Sequence, residues 1–217
     1  MFEDFYAKLW NEGVVPVVIV ERIEDAVPLA HALVAGGLNS AEVTFRTPCA
    51  AGAIATMRAA EPGMLVGAGT VVNIAQVDAA IQAGAQFVVS PGLAQAVVSR
   101  SLAQGVPALP GAVTPTEIMA ARAMGLEATK FFPAETFGGL SALKALAAPF
   151  AEHRFVPTGG VNAVNLAEYL AHPSIVACGG TWMVKPSLFA DGDFSRVEEL
   201  AREAAEIVRS VRQQDKS

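Results

Sequence analysis

The chain has 217 residues, 53 % of them apolar, with a formal net charge of −6 and an isoelectric point near 5.1. That acidic balance argues against a nucleic-acid partner, which calls for a basic surface, and no apolar run approaches a membrane span although mean hydropathy is +0.41. Cys49 and Cys178 form neither a disulfide framework nor a metal-ligand spacing, and Met1-Phe2-Glu3-Asp4 lacks a signal-peptide pattern, so a cytoplasmic enzyme of one domain (1–217) is expected.

In chain order, 2–11 reads as a short amphipathic helix ending near Gly13, and the β-branched run 14–20 as a buried strand. Residues 24–35 form a helix stopped by Gly36-Gly37. Further strands are expected at 41–46, 65–70, 86–90, 106–110, 128–132, 155–158 and 175–180, with helices between them. Thr114-Pro115-Thr116-Glu117 supplies an N-cap, a proline at the first helical position and a capping-box glutamate. Asn73 with Gln76 and Ser195 with Glu198 repeat the same spacing. The last helix, from Ser195, carries an apolar stripe through Val197, Leu200, Ala204, Ile207, Val208 and Val211. Eight strand–helix pairs at intervals of roughly 20 to 30 residues predict a (β/α)8 TIM barrel behind a short N-terminal helix. The competing doubly wound sheet lacks its G-x-G-x-x-G turn, and no Walker-type phosphate loop occurs.

The run Glu127-Ala128-Thr129-Lys130-Phe131-Phe132-Pro133 places a lysine inside a strand. Alternation puts Ala128, Lys130 and Phe132 on one face and Thr129 and Phe131 on the other. Burial disfavours an ammonium and makes a free amine available to attack a carbonyl carbon. The alternative is a snorkelling lysine with its head in water.

Barrel enzymes carry their chemistry where strands run out into loops. On the second strand Glu42, Thr44 and Arg46 share a face, which points a charged pair inward beside Lys130; a structural Glu–Arg ion pair is the alternative reading. The third strand ends Gly67-Ala68-Gly69-Thr70, whose glycines permit close backbone approach. The fourth ends Ser90-Pro91-Gly92. The seventh ends Thr158-Gly159-Gly160 and the eighth Gly179-Gly180-Thr181, glycine pairs where barrels receive phosphate at a helix N-terminus. His31, His153 and His172 have no ligand spacing, so no metal is expected. Cys178 reads as a small buried residue, Lys144 and Lys185 as surface charges, and Glu135 as a loop carboxylate that could rival Glu42.

Taken together, Pro16-Val17-Val18-Ile19-Val20, Glu42 to Thr47, Gly67 to Thr70, Ser90-Pro91-Gly92, Lys130 to Glu135 and Pro157 to Gly160 stand in one order. In that order the chain, from about Val14 to the last helix, closely resembles the 2-keto-3-deoxy-6-phosphogluconate (KDPG) aldolases, which also act on 4-hydroxy-2-oxoglutarate (KHG). The resemblance implies a homotrimeric, metal-independent class I aldolase that needs no cofactor. It makes Lys130 the Schiff-base lysine and Glu42 the proton-transferring carboxylate. Arg46 and Thr70 would hold the pyruvate carboxylate, while Pro91 and Phe132 shape the pocket. Thr158 would contact the aldehyde half, and Gly159, Gly160, Gly179, Gly180 and Thr181 would receive the phosphate. Thr181 departs from the serine usual there, which adds a methyl at that end of the pocket. A sister family acting on the galactonate epimer typically has a serine pair in place of Ala134-Glu135 and no threonine at 158, which sets this chain on the gluconate side. A barrel isomerase or epimerase of phosphosugars working without an imine, and a non-catalytic 2-keto-acid binder, are the remaining alternatives.

Overall fold

A computed structural model describes residues 2–214. Among these, β1 (Val14–Val18), β2 (Ser40–Thr44), β3 (Leu65–Gly69), β4 (Val88–Ser90), β5 (Ala108–Pro110), β6 (Ala128–Phe131), β7 (Arg154–Pro157) and β8 (Cys178–Gly180) are the strands. Helix α1 (Glu3–Glu12) precedes them. Helices α2 (Ala26–Ala35), α3 (Ala50–Ala60), α4 (Ile74–Gln82), α5 (Gln95–Ala103), α6 (Pro115–Ala123), α7 (Gly139–Ala147) and α8 (Leu166–Leu170) connect them, and α9 (Ser195–Gln214) follows. Every strand pairing is parallel. One curled sheet has the order β5-β4-β3-β2-β1-β8, and β6 pairs with β7 in a second. Between the two sheets the ladder shrinks to single bridges: Gly111 with Lys130 on one side, Phe155 with Ile175 and Thr158 with Gly179 on the other.

Strand alternation sorts the core into two layers. Val15, Leu65, Phe87, Val89, Leu109, Ala128 and Val156 pack together on the concave side, against Phe5 and Leu9 of α1. Their neighbours Val14, Val18, Val43, Val66, Val88, Phe131 and Phe155 pack outward against the helices. Nearly every strand residue is therefore buried, as parallel strands covered on both sides require, and the inward face of β2 departs from the apolar rule with Ser40, Glu42 and Thr44.

The expected strands exist, and most are shorter than their apolar runs. The ladder between β2 and β3 ends at Thr44 opposite Gly69, with one more bond from Phe45 N–H to the Gly69 carbonyl. The chain then turns, so 45–46 lie outside the strand. The caps at Asn73 and Thr114 form as their spacing predicts: the Asn73 side chain accepts the Gln76 N–H, and Thr114 and Glu117 close a full capping box. Ser195 does not cap. Its hydroxyl donates to Asp193 at 2.6 Å, and the Glu198 N–H bonds the Phe194 carbonyl instead. The helix already includes Ser195 as its first residue, which leaves Phe194 at the cap position.

Candidate active site

Lys130 projects from β6 to the concave face and is 6 % exposed. Its Nζ donates to Glu42 Oε1 at 3.0 Å and to Oε2 at 3.3 Å, across 88 residues of chain. Glu42, on β2, is 4 % exposed. Nζ also lies 5.2 Å from the centroid of the Phe132 ring, an attractive placement for a cation or a polarised amine. A buried ion pair is a poor source of stability, because desolvating two charges offsets most of their attraction. Such a pair is better explained by what an amine and a carboxylate can do together.

The strands around Glu42 are shaped to hold it. A Cβ at Gly69 would overlap the Glu42 carboxylate, and a Cβ at Gly67 would overlap the Phe87 ring. These two glycines thus make room for Glu42 of β2 and for Phe87, the residue leading into β4, rather than for a ligand's approach to the backbone. Thr44, on the same face as Glu42, donates its hydroxyl to the Val18 carbonyl at 2.9 Å and is fully buried. The backbone of Thr70, one residue past β3, takes φ +56°, a left-handed conformation that a β-branched residue adopts only under constraint. Such outliers concentrate at functional sites.

Arg46 corrects an expectation. It is exposed, beyond the end of β2, and has no ion-pair partner among the described residues. Glu42 pairs with Lys130, and the Glu42–Arg46 bridge does not form, because strand alternation stops at Thr44. Pro91 is exposed at the end of β4, where the Ser90 hydroxyl donates to the Gly92 carbonyl at 2.7 Å. Phe132 is half-buried.

Thr158 follows β7 directly and is 3 % exposed; its N–H donates to the Phe131 carbonyl at 2.9 Å. Its side chain occupies the space a Cβ at Gly179 would need. Gly159 and Gly160 take φ of +95° and +89°, open to glycine and strained for other residues. Gly179 and Gly180 differ: both are buried inside β8, paired with Val15 and Pro16, and Thr181 is the first exposed residue beyond them. The expectation of helix N-termini here is also corrected. Helix α8 begins at Leu166, well past Gly160, and the first helical turn after β8 is the 3-10 segment Pro186–Leu188. Any anion at this end would therefore meet loop N–H groups.

Other titratable groups fall outside this cluster. Burial pushes the Cys178 thiol well above its ordinary pKa. His153, 1 % exposed, shares a 3.0 Å hydrogen bond with Thr129. No group of three His, Cys, Asp or Glu able to hold a metal occurs among the described residues. Glu135 does not approach Lys130; it accepts a hydrogen bond from the Tyr169 hydroxyl at 2.5 Å. The sequence offers no cue to that pair, since Tyr169 on a five-residue helix reads as core.

The chain matches the family model for KDPG and KHG aldolases over residues 6–200. It is 53 % identical to the 2-dehydro-3-deoxy-phosphogluconate aldolase of Treponema pallidum, over 90 % of this chain and 93 % of that one. It is 46 % identical to the KHG/KDPG aldolase of Escherichia coli, over 89 % and 91 %. Among solved structures it is similar to the KDPG aldolase of Legionella pneumophila, with pyruvate captured at low pH as a covalent carbinolamine intermediate. The TM-score there is 0.88 at 37 % identity, covering 92 % of this chain and 97 % of that one.

Proposed function

The chain belongs to the KDPG and KHG aldolase family, and from that premise and its site we propose that it is a lyase cleaving KDPG to pyruvate and glyceraldehyde 3-phosphate. It also cleaves 4-hydroxy-2-oxoglutarate to pyruvate and glyoxylate. The observation that carries this reading is the buried Lys130 amine hydrogen-bonded to Glu42. A carbinolamine such as the Legionella pneumophila enzyme holds arises when an amine adds to a ketone, and Lys130 is the buried amine available here.

In this reading the Lys130 amine adds to the C2 carbonyl, and loss of water leaves an iminium. The iminium draws in the electron pair of the C3–C4 bond as that bond breaks. Glu42, directly or through a water, takes the C4 hydroxyl proton, so the aldehyde leaves and an enamine remains. Protonation at C3 and hydrolysis of the imine then release pyruvate and the free amine. Proton transfer needs an acid–base group within hydrogen-bond reach of the reacting atoms, and Glu42 is so placed beside Nζ. Arg46, exposed and free to turn toward a carboxylate, and Thr70 hold the pyruvate half; Arg46 suits this task through its paired donors. Phe132 and Pro91 bound the pocket, and Thr158 faces the aldehyde. The N–H groups of the Gly159–Gly160 turn and the Thr181 hydroxyl receive the phosphate, with Gly179 and Gly180 forming the strand end beneath it.

The single bridges at both seams support a finer reading of the fold, with the eight strands closing into one (β/α)8 barrel domain. Family membership supports a cytoplasmic homotrimer, and sedimentation at three times the chain mass checks the assembly. The chemistry is tested by adding borohydride to the enzyme with pyruvate. An adduct is expected on Lys130, absent from Lys130→Ala, whereas Glu42→Gln keeps the adduct and loses turnover. An adduct on another residue, or full turnover by Lys130→Ala, defeats the proposal.

A further inference from the structure

The segment that carries Lys130 also carries, five residues on, a carboxylate turned away from the reacting atoms. The loop after β6 and the loop after β7 are zipped together: the Ala134 N–H donates to the Thr158 carbonyl at 2.8 Å, and the Glu135 N–H to the Gly159 carbonyl at 3.0 Å. The Glu135 side chain then runs across Gly160, so closely that a Cβ there would lie 2.6 Å from Glu135 Cβ and nearer still to Cγ. Beyond Gly160 its Oε1 accepts the Tyr169 hydroxyl at 2.5 Å. Tyr169 is 2 % exposed and sits on α8, the helix into which the Gly159–Gly160 loop leads. Gly139 completes the packing; a Cβ there would stand 3.2 Å from Glu135 Oε1 and 3.4 Å from the Tyr169 hydroxyl oxygen. The Gly160 carbonyl is fixed separately by the side-chain amides of Asn162 and Asn165, at 3.0 and 3.2 Å.

We infer that Glu135 and Tyr169 are positioning residues: a strut, anchored on the nucleophile's own segment, that sets where the Gly159–Gly160 turn stands relative to Lys130 and so governs preference for a phosphorylated aldehyde half. This rests on the phosphate reading proposed for those glycines. Two flexible glycines in the left-handed region have many conformations open to them. Their N–H groups can select a distal anion only if something outside the turn fixes them. Backbone bonds fix the carbonyl side of Thr158 and Gly159, and the Glu135 side chain packs over Gly160 from the outside. Burial, then the hydrogen bond to Glu135, raises the Tyr169 pKa, so the hydroxyl remains a donor throughout the neutral range. The Lys130–Glu42 pair shares no hydrogen bond with the strut. Selectivity and imine formation should therefore separate.

The test compares kcat/KM for KDPG and for 4-hydroxy-2-oxoglutarate, together with the borohydride-trapped pyruvate adduct, in wild type, Tyr169→Phe, Glu135→Ala and Glu135→Gln. Tyr169→Phe keeps the ring and removes only the hydroxyl. It should lower the KDPG-to-KHG ratio about tenfold through KM, less than the roughly hundredfold that an ångström of misplacement can cost. The adduct should form as in wild type. Glu135→Ala should lower the ratio likewise, and Glu135→Gln, which keeps an acceptor for the hydroxyl, should restore most of it. A ratio unchanged in Tyr169→Phe, or a loss shared equally by both substrates and the adduct, overturns the strut. If wild type does not favour KDPG, the phosphate reading itself has failed and the strut fails with it. If wild type favours KDPG and the variants keep that preference, only the strut is lost.

Discussion

A missing atom decides the position of the proposed acid–base group. Glu42 can bring its carboxylate to Lys130 because Gly69, on the neighbouring strand, has no Cβ to occupy the same space. Gly69→Ala would place a methyl on the carboxylate, and β3 cannot retreat, being paired with β2 on one side and β4 on the other. Glu42 must rotate away. The expected outcome is a fall in kcat of roughly hundredfold with the pyruvate–borohydride adduct retained. A folded Gly69→Ala variant with wild-type kcat would show that Glu42 need not stand where it does. The pattern Gly-Ala-Gly-Thr could be read as significant from sequence. Its reason could not, because Glu42 and Gly69 become neighbours only through strand register.

At the scale of elements, β6 and β7 form their own two-stranded sheet, and His153 at its N-terminal end reports on their pairing. Desolvation, with Arg122 and Arg154 nearby, lowers the His153 pKa from 6.5 to about 4. The folded chain therefore keeps the imidazole neutral while the unfolded chain protonates it. The stability this contributes is fully present above pH 6.5 and is lost as pH falls toward 4, by up to about 3 kcal/mol at 1.36 kcal/mol per pH unit. Urea unfolding between pH 7 and 4 should show that slope in wild type and lose it in His153→Gln. A His153 imidazole titrating near 6.5 by NMR would remove its basis. Elements were largely legible in the sequence, since alternation and caps are local: β6 places Ala128, Lys130 and Phe131 on the faces that period two assigns. Contacts that cross from element to element were not. Arg46 was expected inside because nothing in the local pattern marks the point where β2 leaves its ladder. The bond from Tyr169 to Glu135 spans 34 residues and leaves no periodic trace. Ser195 has the right spacing for a cap, yet the helix starts one residue earlier than that spacing assigns, with the Glu198 N–H on the Phe194 carbonyl.

Across the whole molecule, the floor of the site is α1, the one helix that precedes the first strand. Leu9 is wholly buried, packing with Phe5 against the concave layer, and it lines with Glu42, Lys130, Leu109 and Val156 a void of about 10 Å³. The helix is held from the far end of the chain. The Arg212 guanidinium of α9 lies 3.3 Å over the Trp10 ring and donates to the Val176 carbonyl at 3.0 Å, so α1, α9 and the approach to β8 meet at one point. A side chain from the first dozen residues is thus packed directly beneath a pair that the rest of the fold assembles. Leu9→Ala should cost about 2–5 kcal/mol of unfolding free energy, the transfer of the lost methyls plus the cavity they leave. The cavity would open under Lys130 and Glu42, whose geometry depends on close packing, so kcat should fall along with stability while Leu9→Met, which refills the volume, recovers both. Denaturant unfolding and turnover measured on the same preparations decide the matter. Stability lost with kcat unchanged would mean that the ion pair is held by its strands alone and that α1 closes the fold without supporting the chemistry.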